Sequence, residues 1–142
     1  MYRRILVAIE NSTADQTILS HVTGLAALMR AELLLVHVAD GWAARHFDDL
    51  VLRESEEMKG DRAYLDRLAA GLTAQGLSVS TELALGDPAH ELIRVATEWN
   101  ADLIAMSTHG HRFIGDLIRG TTVDHVRHVA KIPVLLLRAQ HE

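Results

Sequence analysis

Cysteine is absent from the 142 residues. Disulfides, thiolate metal sites and cysteine nucleophiles are therefore excluded, and the composition fits a reducing compartment. No run approaches the roughly 18 consecutive apolar residues of a membrane-spanning helix. The opening MYRRILVAIENS joins basic residues to a short apolar run and then turns polar at once. It lacks the longer apolar stretch of a secretion signal, so the expected address is the cytoplasm, with no membrane partner. Positive charge is also scarce: 14 Lys and Arg stand against 19 Asp and Glu, a formal net charge of -5. Nucleic-acid affinity rests on clustered positive charge, so no nucleic-acid partner is expected. A small anion held by main-chain N–H groups needs no net positive charge and stays open. Missing too are a P-loop, a GxGxxG fingerprint and any Ser-His-Asp arrangement that can be placed. No catalytic residue is assigned. Without internal repeats, low-complexity tracts or a composition break, residues 1–142 read as one domain.

Short apolar runs rich in Val, Ile and Leu recur instead. They are Arg3 to Ile9, Ala31 to Val38, Ala101 to Met106 and Pro133 to Leu137. Continuous apolar strands are what a parallel sheet covered on both faces requires. Leu77 to Leu85 alternates, which suggests a strand with one wetter face at an edge. Helical spacing fills the gaps. Ile18, Val22, Leu25 and Met29 share one face, with Thr13 and Gln16 as a capping box. Leu65, Leu68 and Leu72 mark a second helix ending near Gly76. Asp87-Pro88 opens a third, with Leu92, Ile93 and Ala96 inward. A fourth follows Gly120-Thr121, burying Val123, Val126 and Ala130. Asp40 to Glu57, which holds Trp42 and Phe47, reads as one long connection: either a lid over a site or a surface excursion continuing into the second helix. The alternation predicts an α/β fold, a doubly wound five-stranded parallel sheet with helices on both faces.

In such sheets ligands bind beyond the carboxyl ends of the strands, where strand order reverses. Two segments fit: Ile9 to Thr13 after the first strand, and Ser107 to Thr122 after the fourth. If the first strand is central, the two turns face each other with bare amides toward a common ligand. The second segment carries phosphate-binding chemistry. Gly110 permits close main-chain approach, Gly120 leads into a helix start that favours an anion, and Thr121 and Thr122 add hydroxyls. His109 and Arg112 could add side-chain donors. A plain strand-to-helix connection would need the same small residues, so the residues alone leave both readings open.

The chain resembles the universal stress protein family. ATP-binding members carry G-x2-G-x9-G-(S/T) between the fourth strand and fourth helix. Here the motif reads Ser107-Thr108-His109-Gly110, nine residues, then Gly120-Thr121, with Ser107 in place of the first glycine. ILVAIENS resembles the family opening ILVxxDxS, with Glu10 at its Asp. LLLVHV, GDPAHELIRVATEWNADLIAMSTHG and HVAKIPVLLLR resemble its later segments in order. The resemblance implies the adenine nucleotide alpha hydrolase-like fold with strand order 3-2-1-4-5. It also implies binding of ATP, or of AMP or ADP, with Mg²⁺ as an optional companion. Glu10 would then contact the nucleotide near the adenosine, and the main chain of Val38 would read the adenine. Ser107, Gly110, Gly120, Thr121 and Thr122 would form the phosphate and ribose loop, with Ala8, Ile9, Met106, His109 and Arg112 as further candidate nucleotide contacts. The family pairs its last strand across a two-fold axis, which implies a homodimer through Pro133 to Arg138. The expected role is an adenine-nucleotide-binding stress or signalling protein with little or slow ATP hydrolysis. The alternative is a nucleotide-free dimeric partner-binding module of the same fold.

Other residues have ordinary readings. His109, His111, His125 and His128 lie close in sequence, but no carboxylate pattern fixes a metal geometry, and no metal site is assigned. His37 reads as a histidine packed in or near the core. Phe113, Ile114, Leu117 and Ile118 read as packing residues, Asp15 and Asp124 as helix-start acids, and Arg112, Arg119 and Arg127 as arginines around the glycine loop.

Overall fold

A computed structural model describes residues 1–40, 47–108 and 120–140, with the main chain alone at 40, 47–55 and 120. In chain order the elements are β1 (Arg4–Ala8), α1 (Ala14–Met29), β2 (Glu32–Asp40), α2 (Phe47–Ala74), β3 (Ser78–Gly86), α3 (Pro88–Trp99), β4 (Leu103–Thr108), α4 (Gly120–Val129) and β5 (Val134–Arg138). The strands form one sheet in the order β3-β2-β1-β4-β5, parallel throughout. Class, topology and order agree with the sequence expectation. β3, the strand that alternates, is at an edge and β1 is central.

Side chains alternate across the sheet plane, and this sorts the core into two layers. Ile5, Val7 and Ile9 lie on one face with Leu33, Leu35, Leu103 and Ala105, beneath Ile18 and Val22 of α1 and Leu65 and Leu72 of α2. Leu6 and Ala8 lie on the other with Leu34, Val36, Val38, Ile104 and Met106, beneath Leu92 and Val95 of α3 and Val123 and Val126 of α4. The near-continuous apolar strands follow from this double coverage. Each fully buried Leu or Ile contributes about 1.5–3 kcal/mol relative to exposure.

The helix ends obey local chemistry. Asp87 caps α3, its Oδ2 accepting from the His90 amide at 2.9 Å, with Pro88 in the first turn. α2 closes with the Leu77 amide on the Leu72 carbonyl and with Gly76 at φ +92°, a conformation that favours glycine. Two expectations are corrected. The Thr13–Gln16 capping box does not form, because Thr13 is helical (φ -63°, ψ -20°) and makes no side-chain cap bond. The Ser12 hydroxyl accepts from the Ala14 amide at 3.2 Å instead. The long connection is also shorter than Asp40 to Glu57, because α2 is already helical from Phe47 and runs 28 residues. Phe47 to Glu57 thus belong to the second helix; residues 41–46, Trp42 among them, lie outside the described residues.

Candidate functional site at the sheet rim

The three central strands end at different heights. The β1–β2 ladder stops at Ala8 opposite Val36, and the β1–β4 ladder at Val7 opposite Ala105. β2 runs on beside β3 to Asp40 opposite Gly86, and β4 runs on beside β5 to Thr108 opposite Arg138. A notch therefore opens above the end of β1, between Val38 on one side and Met106 and Ser107 on the other. It sits where strand order reverses, the position that open α/β sheets use for ligands.

Ala8, Ile9, Glu10, Val38, Met106 and Ser107 are all buried around this notch. Ala8, Val38 and Met106 face the α3–α4 layer, and Ile9 faces the α1–α2 layer. Glu10 is 4% exposed, and its Oε2 accepts from the Ser12 hydroxyl at 3.0 Å. Ser107 aims its hydroxyl at the Ala14 carbonyl, 3.5 Å away at the start of α1. Serine at the first glycine position thus ties β4 to α1. Gly120 is the first residue of α4; Thr121 is exposed and Thr122 buried. His109, Gly110 and Arg112 lie outside the described residues, as do His111, Phe113, Ile114, Leu117, Ile118 and Arg119.

The first turn is not an anion cradle. Its amides already bond within the chain. Asp15, 1% exposed, accepts from the Glu10 amide on Oδ1 at 2.8 Å. On Oδ2 it accepts from the amides of Asn11 and Ser12, at 2.8 and 3.1 Å, and from the Tyr64 hydroxyl at 2.6 Å. The expectation of bare amides on both sides of the notch is corrected accordingly. Asp15 is also far more than a helix-start acid. It locks the turn that carries Glu10, including Asn11 in the left-handed region at φ 64°, and through Tyr64 it fastens α2 to that turn. Burial, reinforced by the bond to Asp15, pushes the Tyr64 phenol above its ordinary range.

His37 is buried, as expected, but it is more than packing. Its Nδ1 lies 2.8 Å from the Ile9 carbonyl oxygen and its Nε2 3.4 Å from Asp61 Oδ2 on α2. The other Asp61 oxygen accepts from the Asn11 side-chain amide at 3.1 Å. These partners were not legible locally, since His37 and Asp61 are remote in sequence and so are Asp15 and Tyr64. Among the described residues, no group of three or more His, Asp or Glu is placed to hold a metal. His125 and His128 are exposed, and Arg127 pairs with Asp124 at 3.2 Å. A separate cleft of about 750 Å³ runs beside α1 and the end of β5, lined by Thr13, Gln16, Thr17, Ser20, His21, Leu137 and Gln140. No helix among the described residues is long and apolar enough to cross a membrane.

The family model described as the universal stress protein family matches residues 1–138. A universal stress protein of Thermus aquaticus is 32% identical over 143 residues, spanning 97% of this chain and 100% of its own length. The Bacillus subtilis universal stress protein YxiE is 26% identical over 150 residues, spanning 97% and 100%. Among solved structures, that of MJ0577 superposes with a TM-score of 0.82 at 22% identity, covering 100% of this chain and 99% of that one. A universal stress protein in complex with cAMP superposes at 0.71 with 19% identity, covering 98% of both chains. One from Archaeoglobus fulgidus in complex with dAMP superposes at 0.67 with 21% identity, covering 95% and 97%. At these identities the three structures show the shared fold.

Two outcomes follow from the Asp15 knot. Asp15→Asn places a donor against buried amides, and urea unfolding is expected to show a loss of about 3 kcal/mol or more. Tyr64→Phe is expected to cost about 1–2 kcal/mol at neutral pH. The folded state holds the phenol proton more tightly than the unfolded chain does. Its contribution is therefore complete below the ordinary tyrosine value of about 10 and declines as pH rises above it. The stability gap between wild type and Tyr64→Phe should narrow above pH ~10; a gap that widens there contradicts the assignment.

Proposed function

Since the chain belongs to the universal stress protein family, we propose that it binds an adenine nucleotide in the notch above β1, with the phosphates at the start of α4. The observation that carries this reading is the notch itself. β1 stops short between β2 and β4, and around its end lie the buried Glu10 carboxylate, the Val38 main chain and the Ser107 position. Family members in complex with cAMP and dAMP support it, as does the Gly110-x9-Gly120-Thr121 spacing.

The parts suit the ligand by their chemistry. Val38 offers a donor and an acceptor side by side, which suits the edge of a purine. Glu10 offers a carboxylate to the adenosine, as the family's Asp does by resemblance. A helix start with Thr121 and Thr122 offers amides and hydroxyls to phosphate. With the first turn's amides held by Asp15, the glycine loop and α4 carry the anion. ATP is the leading ligand, with AMP or ADP behind it, and Mg²⁺ would be an optional companion that offsets phosphate charge. Hydrolysis needs a positioned water, a base and usually Mg²⁺. The reading is therefore of slow or no turnover, with a role in binding and signalling.

Calorimetry with ATP, AMP and GMP checks the reading. A nucleotide at about 100 times its Kd should also stabilise the fold by about 2.7 kcal/mol. Gly120→Asp puts a helix-compatible carboxylate where phosphate would bind and should weaken AMP at least tenfold without unfolding the chain. Absence of heat and of thermal shift with every adenine nucleotide at millimolar concentration contradicts the reading and leaves the nucleotide-free module.

We further propose a homodimer through Pro133 to Arg138. Among the described residues β5 pairs with β4 alone, which leaves its outer edge as a strand edge, and pairing with a second copy removes that liability. Light scattering should give twice the chain mass; a monomer at all concentrations contradicts it.

A further inference from the structure

The Ile9 carbonyl has two candidate donors, and the structure shows which one it takes. In the parallel ladder the Ile9 amide donates to the Val36 carbonyl at 2.8 Å. Main-chain groups two residues apart on a strand face the same neighbour. One more step of that ladder would give the Ile9 carbonyl to the Val38 amide. It goes instead to the His37 ring, whose Nδ1 lies 2.8 Å away. A carbonyl only accepts, so Nδ1 is the donor in this contact. Among the described residues no main-chain bond continues the β1 ladder to Val38, and the other side of β2 is covered by β3 as far as Asp40.

We propose that His37 is a positioning residue for the nucleobase: by taking the Ile9 carbonyl, it keeps the Val38 amide and carbonyl turned into the notch and off β1. The ring is set for this from both ends. It is 4% exposed, and Nε2 faces Asp61 Oδ2 at 3.4 Å. Asp61 is itself held by the Asn11 side chain at 3.1 Å. The clamp therefore joins β2, the first turn and α2 at the edge where a purine would lie. Without the ring, the Ile9 carbonyl would be left without its partner in a buried place, which is costly. The Val38 amide is the donor positioned to replace it. The ladder would lengthen by one bond and the notch would lose its donor. This inference rests on the nucleotide reading, but its first test does not.

The test compares wild type, His37→Leu and His37→Asn. Asn reproduces a donor near the Nδ1 position; Leu does not. Residue-resolved amide exchange, without ligand, should find Val38 less protected than Val36 in wild type. Val38 should be protected like Val36 in His37→Leu, and intermediate or wild-type-like in His37→Asn. Calorimetry should then find AMP roughly tenfold weaker for His37→Leu, about one main-chain bond, and near wild type for His37→Asn. Ribose 5-phosphate, which lacks the base, should bind all three alike. Val38 protection equal to Val36 in wild type, or unchanged in His37→Leu, overturns the positioning role whether or not nucleotide binds. An equal loss for AMP and ribose 5-phosphate also overturns it, since that is general damage to the fold. The expected exchange pattern in a wild type that binds neither ATP, ADP nor AMP removes the nucleotide reading, and with it the ligand that this clamp is proposed to serve.

Discussion

The Asp15 carboxylate is the interaction on which the rim of this sheet depends. Four donors converge on it: the amides of Glu10, Asn11 and Ser12 and the hydroxyl of Tyr64. Three consecutive amides leaving the end of a strand are otherwise groups that burial would strand at a cost of about 1–3 kcal/mol each. One carboxylate satisfies them all from the first turn of α1. The turn can then be tight, with a left-handed residue at Asn11, and β1 can stop before its neighbours do. The notch is the consequence of that early stop.

The same interaction divides labour within the site. A turn whose amides are engaged by a carboxylate offers none of them to a phosphate, and on the proposed reading the anion lies toward α4. What the first turn presents is the Glu10 carboxylate, itself steadied by the Ser12 hydroxyl. Tyr64 and Asp61 bring α2 to this place from the face of the sheet that it shares with α1. Helix, turn and strand end are one connected polar unit over an apolar core, and a connected, satisfied network of this kind specifies a single arrangement. The separate cleft beside α1 and β5 has no part in it.

Much of the architecture was legible because it obeys local or periodic rules. Apolar strand runs such as Leu33 to Val36 announce coverage on both faces. The alternating β3 announces an edge. Asp87-Pro88 and Gly76 mark helix ends through cap and backbone chemistry that acts within a few residues. The site was legible in part. Glu10, Val38 and Ser107 could be placed from topology and family resemblance. The partner of the first turn could not, since Asp15 looks like any acid near a helix start until Tyr64 arrives from α2. His37 reads as a core residue in LLLVHV, and only the ending of β1 gives its ring a carbonyl to hold. The capping box failed for a local reason: Thr13 and Gln16 satisfy the pattern, but Thr13 is already helical and the Gln16 amide goes to the Thr13 carbonyl.

The most direct test of the account is a nucleotide titration followed by the amide signals of the whole chain. With AMP added to saturation, the largest shifts should fall on Val38 and on Thr121 and Thr122, while the amides of Glu10, Asn11 and Ser12 keep their protection by Asp15. Shifts confined to residues lining the α1–β5 cleft, such as Gln16, Thr17, His21 and Gln140, would contradict it.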